Sequence, residues 1–221
     1  MRLLAVIPAY QVVSYIKGVI DATKDHVSEI LVVDDGSTDG TSDVAKAAGA
    51  NVIRHELNRG KGAALKTGFA YAIEQDYEVI ITLDGDGQHD PKYISDFLTA
   101  FMNTRADLIV GSRAGDKADM PWQRRCSNYL TSHILSALLH RRIEDSQSGY
   151  RLINVAMLKK FELKSDRYQM ETEIIIKAVR AGFKIAFIPI KVLYGENFPT
   201  GIHGWADTFR WIKLMLKGLR G

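Results

Sequence analysis

The chain has one cysteine in 221 residues, Cys126. No internal disulfide can form, which fits a reducing compartment, and a lone thiol with no supporting base is read as packing. Charge of one sign is also scarce: the formal balance is +3, and no run of Lys and Arg is interleaved with aromatics. Nucleic acid is therefore not an expected partner. Nowhere do about 18 apolar residues follow one another, so no membrane-spanning helix is expected. The opening Met1-Arg2-Leu3-Leu4-Ala5-Val6-Ile7-Pro8 has too short an apolar run for a signal peptide, and the expectation is a cytosolic protein. Two phosphate-loop signatures are missing as well. The first apolar run is followed by no Gly-x-Gly-x-x-Gly, and Gly60-Lys61 lacks both a Gly five residues earlier and a Ser or Thr after the Lys. Dinucleotide-binding, P-loop and sugar-nucleotidyltransferase readings are disfavoured.

What is present is enough apolar residue, 46%, to bury the core of one domain. Leu3 to Ile7, Glu29 to Val33, Asn51 to His55, Val79 to Thr82 and Leu108 to Val110 are short apolar runs that read as buried parallel strands, with a last strand over Phe187 to Tyr194. Helices fit between them. Asp39 or Thr41 can cap one that stops at Gly49, and Asn58-Arg59-Gly60-Lys61-Gly62 opens another carrying Ala64, Leu65, Phe69 and Ile73. Asp90-Pro91 supplies a cap and a first-turn proline for a third. The β-α-β alternation implies an α/β fold on a mostly parallel sheet. The far ends of five strands then carry Pro8-Ala9-Tyr10, Asp34-Asp35-Gly36, Asn58 to Gly62, Asp84 to Gln88 and Gly111-Ser112-Arg113, so polar and glycine-rich chemistry collects on one sheet edge.

The centre of that edge is Leu83-Asp84-Gly85-Asp86-Gly87-Gln88. Two carboxylates two residues apart at a strand end offer hard oxygens to Mg²⁺ or Mn²⁺, which completes its shell with water and substrate phosphates; the implied ligand is a diphosphate. On spacing alone a solvated turn competes with this reading. An EF-hand does not, because its sixth position would be His89 and its twelfth Ser95.

Ile7-Pro8-Ala9-Tyr10, Val33 to Thr41, Asn58-Arg59-Gly60-Lys61-Gly62-Ala63-Ala64, Asp84-Gly85-Asp86-Gly87-Gln88, Gly111-Ser112-Arg113 and Asp145-Ser146-Gln147-Ser148-Gly149-Tyr150-Arg151 resemble, in order and spacing, the motifs of glycosyltransferase family 2. The likeness is greatest to its dolichol- and polyprenyl-phosphate sugar synthase branch. It implies a GT-A fold, a catalytic domain over residues 1–198, and inverting transfer of a hexose or N-acetylhexosamine from a UDP- or GDP-sugar. By motif, Pro8, Ala9, Tyr10 and Asp35 would line the nucleoside with Asp34 nearby, and Lys61 would lie along base or ribose. Asp84 and Asp86 would hold metal and diphosphate beside Gly85, and Gln88 would close the site. A lipid-phosphate acceptor is already an anion, so it calls for cationic clamps, Arg113 and Arg151, more than for a base. Asp145 would be a base if the acceptor were a glycan hydroxyl, and otherwise would orient Arg151 or the acceptor. A third reading is an inactive donor-binding adaptor that needs a separate subunit.

Trp122 to Ile143 reads as helical, either as two short helices or as one packed on core and lipid both, and the resemblance suggests an interfacial segment. Over 199–221, Trp205, Phe209, Ile212, Met215, Leu216 and Leu219 share one helical face beside Arg210, Lys213, Lys217 and Arg220. That pattern suits a helix lying on an anionic membrane, or docking on the core or a second subunit, including a homodimer or a membrane-anchored one. The glycine-rich loop 195–204, with Thr200 and His203, could fold over bound donor.

Overall fold

The computed structural model describes residues 1–113 and 122–193. In it most of the apolar runs become strands buried from both sides. Side chains alternate along a strand, so Leu4 and Val6 of β1 (Leu3–Ala9) enter one core layer while Ala5, Ile7 and Ala9 enter the other. The same holds for β2 (Ile30–Asp34), β4 (Val79–Thr82) and β5 (Leu108–Ser112), whereas the edge strand β3 (Asn51–Arg54) is more open. A strand with no wet face has no polar alternation, hence the unbroken Val, Ile and Leu.

Helices fill the two layers. On one side lie α1 (Val13–Lys24), α2 (Thr41–Ala47) and α4 (Ile94–Thr104), contributing Ile16, Ile20, Ala45, Ile94 and Phe97. On the other lie α3 (Lys61–Glu74), α5 (Trp122–Leu139), α6 (Val155–Leu158) and α7 (Met170–Arg180), contributing Leu65, Phe69, Leu135, Met157 and Ile174. A Cβ on Gly68 would come within 2.4 Å of Val6, so glycine lets α3 lie flat on β1.

With β6 (Arg151–Asn154) and β7 (Ile185–Pro189) the sheet has seven strands in the order β3-β2-β1-β4-β6-β5-β7. β6 runs antiparallel to both neighbours, pairing Arg151 with Thr82 on one side and Val110 on the other. The apolar-run criterion misses this strand because a buried arginine opens it. β7 ends at Pro189 rather than near Tyr194, and beyond it the Ile190 amide still donates to the Ser112 carbonyl of β5 while Val192 forms an antiparallel bridge with His89.

Capping differs in one place. Gly40, at φ +91°, is the residue before α2, and Asp39 instead accepts from the amide of Val13, at the start of α1, as well as from Thr41. Asp90 caps the 3-10 turn Pro91–Tyr93 by accepting from the Lys92 amide, as expected. Helix α5 is one helix, not two. The amphipathic helix expected over 199–221, the loop 195–204 with Thr200 and His203, and a domain boundary at 198 lie outside the described residues.

Candidate active site

β1 lies between β2 and β4, so the chain leaves it in both directions and the sheet order reverses there. In open α/β sheets ligands bind outside the strand ends at such a reversal. Pro8 and Ala9 end β1 at that point, and Tyr10 beyond them is exposed. Gly85 packs so closely that a Cβ would meet Ile7, Ile16 and the Pro8 carbonyl at 3.4 Å, which brings the β4 loop against β1.

Asp34 and Asp35, at the end of β2, are consumed by their own chain. Asp34 accepts from the Ser37 amide at 3.0 Å and from the Ser42 hydroxyl. Asp35 accepts from the amides of Arg59 (3.0 Å) and Gly60 (2.7 Å) and pairs with His55 Nδ1 at 2.7 Å, while His55 Nε2 meets Thr67. Both carboxylates are buried. Both carboxylates hold their own chain, and Asp35 fixes the Asn58 to Gly62 loop from which α3 starts.

Asp84 and Asp86 are differently placed. Asp84 Oδ1 lies 2.7 Å from Lys61 Nζ, and Lys61 also lies 3.0 Å from Glu171 Oε1. Lys61 thus sits beside the first carboxylate of the pair. Burial works against its charge, yet Asp84 and Glu171 prevail and hold the ammonium well above its usual pKa. Burial likewise opposes charge on Asp84, and Lys61 overrides it, holding that carboxyl low. The Asp84 amide donates to His89 Nδ1 at 3.1 Å, so this ring nitrogen carries no proton; burial pushes the imidazole down to about 4. His89 stacks on Tyr150, with ring centroids 5.0 Å apart. Among the described residues Asp86 accepts from the Gln88 amide at 3.0 Å, and burial together with the Asp84 charge pushes its carboxyl up to about 6.

At the end of β5, Arg113 meets Asp145 in a fork: Nε to Oδ2 at 2.7 Å and Nη2 to Oδ1 at 2.9 Å. Three amides complete the Asp145 shell, those of Arg113, Gln147 and Ser148. The carboxylate is 0% exposed. Burial alone would raise its pKa, but the Arg113 charge and these donors hold it below the usual range. Asp145 therefore orients Arg113, not Arg151, and is not poised as a base. Arg151 does not reach the cleft either. Its buried guanidinium donates to the carbonyls of Ser148 (2.7 Å), Glu171 (2.6 Å) and Ser146 (3.3 Å), and burial lowers its pKa to about 10. It anchors the Asp145 loop to α7 and is no phosphate clamp. That loop is held from below by α5: the Ile143 amide donates to Ser136 Oγ (2.9 Å), the Ser146 amide to Ser132 Oγ (3.0 Å), and Ser146 Oγ to Thr131 (3.3 Å).

Glu171 and His89 escaped the motif reading. Glu171 sits in the first turn of α7 with Glu173, ahead of the apolar run, where a pair of acids looks like a solvated helix start; His89 adjoins Gln88 and could have been noticed by that adjacency.

The residues fit a divalent cation of the kind held by few protein ligands. Among the described residues no group of three or more His, Cys, Asp or Glu is arranged as a metal cage. The half-buried pair Asp84 and Asp86 carries a repulsion that raises Asp86, and a cation sharing its shell with diphosphate and water would relieve it.

A sheet of this order with such an edge is that of a GT-A nucleotide-diphospho-sugar transferase. Glucosyl-3-phosphoglycerate synthase of Mycobacterium tuberculosis shares the fold, with a TM-score of 0.80 at 23% identity over 98% of this chain and 80% of that one. At that identity the likeness is one of fold. The chain belongs to glycosyltransferase family 2, whose model, Glycosyl transferase family 2, matches residues 4–162, and it falls in the dolichol- and polyprenyl-phosphate sugar synthase-like branch. Similar relatives include the UDP-N-acetylglucosamine--dolichyl-phosphate N-acetylglucosaminyltransferase of Methanococcus voltae, 31% identical over 86% of this chain and 85% of that protein. Another is the undecaprenyl-phosphate mannosyltransferase of Micrococcus luteus, 30% identical over 89% and 85%. The protein MJ1222 of Methanocaldococcus jannaschii is 38% identical over 88% and 83%. The chain is thus a glycosyltransferase.

Proposed function

We propose that this enzyme moves a hexose or N-acetylhexosamine, with inversion, from a UDP- or GDP-sugar to polyprenyl phosphate at the cytosolic face of a membrane. The observation that carries the choice of acceptor is the Asp145 shell. A hydroxyl acceptor needs a base, and the acid at the base position spends both oxygens on Arg113 and three amides. A phosphate monoester needs no base; it needs a cation to bring it to an anionic donor, and a braced guanidinium meets it bidentately.

Asp84 and Asp86 would hold Mg²⁺ or Mn²⁺, which when bound supplies Lewis-acid stabilisation of the charge on the leaving diphosphate. The fold neighbour from Mycobacterium tuberculosis was solved with Mn²⁺ and UDP, which is consistent with this assignment. Lys61 adds a fixed positive charge at the diphosphate end. Tyr10, Pro8 and Ala9 form the nucleoside side of the edge, Gly85 keeps the approach narrow, and Gln88 borders the Asp86 turn. Arg113 then faces the incoming phosphate across the edge.

Contact with lipid is assigned to α5. Among the described residues no helix is long and apolar enough to cross a membrane. The inner face of α5 packs through Leu135, but Leu130, Ile134 and Leu138, four apart, lie on its exposed side together with Tyr129 at 65% exposure. Exposed Arg141 and Arg142 follow the helix, a basic flank suited to anionic headgroups. The assembly, whether a homodimer or a pair with a membrane-anchored subunit, is set by surfaces beyond these.

The test is transfer from labelled UDP- and GDP-sugars into a short polyprenyl phosphate with Mg²⁺ or Mn²⁺, followed by extraction of the lipid phase. Label in that phase from one donor, lost on chelation of the metal, is the expected result. Metal-dependent donor binding with no lipid label, and label on a glycan hydroxyl instead, would overturn the acceptor.

A further inference from the structure

Glu171 is a buried acid that none of the motifs covers. The residue is 3% exposed and sits in the first turn of α7. Its Oε1 is 3.0 Å from Lys61 Nζ, and neither carboxylate oxygen has a well-aligned hydrogen-bond donor among the described residues. A carboxylate so placed is tolerated because of the charges around it, here Lys61 in contact and Arg151 bound to its backbone carbonyl. Lys61 in turn stands between two acids, since Asp84 Oδ1 is 2.7 Å away.

The backbone around this lysine is fixed on every side. A Cβ on Gly60 would lie 2.3 Å from the Asp166 carbonyl oxygen and one on Gly62 would lie 2.7 Å from the Asp166 carbonyl carbon, so the first turn of α3 is pressed against that segment. The Ala63 amide donates to the same Asp166 oxygen. A Cβ on Gly149 would lie 2.7 Å from Lys61 Nζ and 3.2 Å from Asp84 Oδ1, so only glycine leaves room for the lysine to cross to Asp84.

We infer that Glu171 is a positioning residue of the donor site: it retains the Lys61 ammonium when Asp84 turns to a divalent cation. This rests on the donor-site reading above. A lysine neutralised by Asp84 alone would compete with the cation for that carboxylate, because leaving it would strand a buried positive charge. With Glu171 as a second counter-charge, Lys61 can give up Asp84 and stay in place to face the diphosphate. The pair separates two positive charges that would otherwise contend for one acid.

The experiment is a double-mutant cycle on the full chain with Glu171→Gln, Lys61→Met and both together. Mn²⁺ affinity is read by electron paramagnetic resonance of the free ion, with UDP and with GDP present, and donor KM and kcat are read separately. Glu171→Gln should weaken Mn²⁺ binding by about tenfold, within the coupling range of neighbouring charged groups. In the Lys61→Met background the same change should alter it by less than about threefold. Donor KM should rise more than kcat falls, with partial rescue by Glu171→Asp. The double variant replaces an ion pair with two neutral side chains and so guards against misfolding, which circular dichroism checks. Equal weakening in both backgrounds would overturn the inference, since Glu171 would then act on the cation without Lys61. So would a Glu171→Gln protein with a lower Tm and unchanged Mn²⁺ affinity and KM. Wild-type protein that binds no Mn²⁺ with either nucleotide would overturn the donor-site reading itself, and this inference with it.

Discussion

Asp34-Asp35 and Asp84-Gly85-Asp86 stand at the ends of the two strands that flank β1, and they have opposite fates. The first pair is saturated by amides, a hydroxyl and a histidine of its own chain. The second meets the Lys61 ammonium at Asp84 and the Gln88 amide at Asp86, and burial plus mutual repulsion leaves Asp86 at about 6. Two strand-end carboxylates become a turn staple or a ligand site according to whether the fold supplies donors for their oxygens. The arginines repeat the lesson: Arg151 is used up by carbonyls, and Arg113 is braced by a carboxylate at the edge.

The strongest way to break this comparison is to exchange roles by mutation. Asp86→Asn should cut transfer by about 10²–10³-fold, the loss typical of removing one charge-stabilising contact, while leaving Tm unchanged or higher because a strained buried acid is gone. Transfer assays beside thermal melts read both, and near-normal activity would refute a ligand role. Asp35→Ala should instead cost about 2–3 kcal/mol of stability in urea unfolding, since it orphans the Arg59 and Gly60 amides. A variant that loses donor affinity with its stability intact would return Asp35 to the nucleoside side.

Asp145→Asn sharpens the contrast through pH. The folded Asp145 pKa is depressed, so its contribution is present above the unfolded value of about 3.9 and is lost as pH falls through the folded one. The stability gap between wild type and Asp145→Asn should therefore be about 1–3 kcal/mol near pH 7 and shrink below about pH 4. Chemical denaturation across that range measures it, and a gap independent of pH would contradict the ion pair. The smallest effect is expected on α5. Leu130→Ser with Ile134→Ser should lower partitioning onto anionic vesicles by about tenfold with a smaller effect on Tm, because Leu130 is 59% exposed and Ile134 37%. Unaltered vesicle binding would move the lipid surface elsewhere.

Much of this was legible in the chain. Dry strands announce themselves as apolar runs, and Asp90-Pro91 marks its turn because capping is local chemistry. β6 was hidden because its first residue is an arginine whose charge is compensated by carbonyls from 20 residues away and nearer, information absent from the local pattern. The hydrogen-bond partners of Asp35, Asp145 and Arg151 were out of reach for the same reason: motif spacing brings them to the edge, and only tertiary hydrogen bonds decide which way they face. Motif spacing singles out Lys61, but its position beside Asp84 depends on Gly149, 88 positions further along the chain, lacking a side chain.

Helix α5 carries a row of hydroxyls inward and a row of hydrocarbon outward, and the two are one rigid body. The outward row is partly open to solvent, while the inward row grips Ile143 and Ser146 on either side of Asp145. Any tilt imposed on the outer face is transmitted to the loop that aims Arg113. The helix thus works as a keel for that loop, fixing from within the heading of the guanidinium that Asp145 braces.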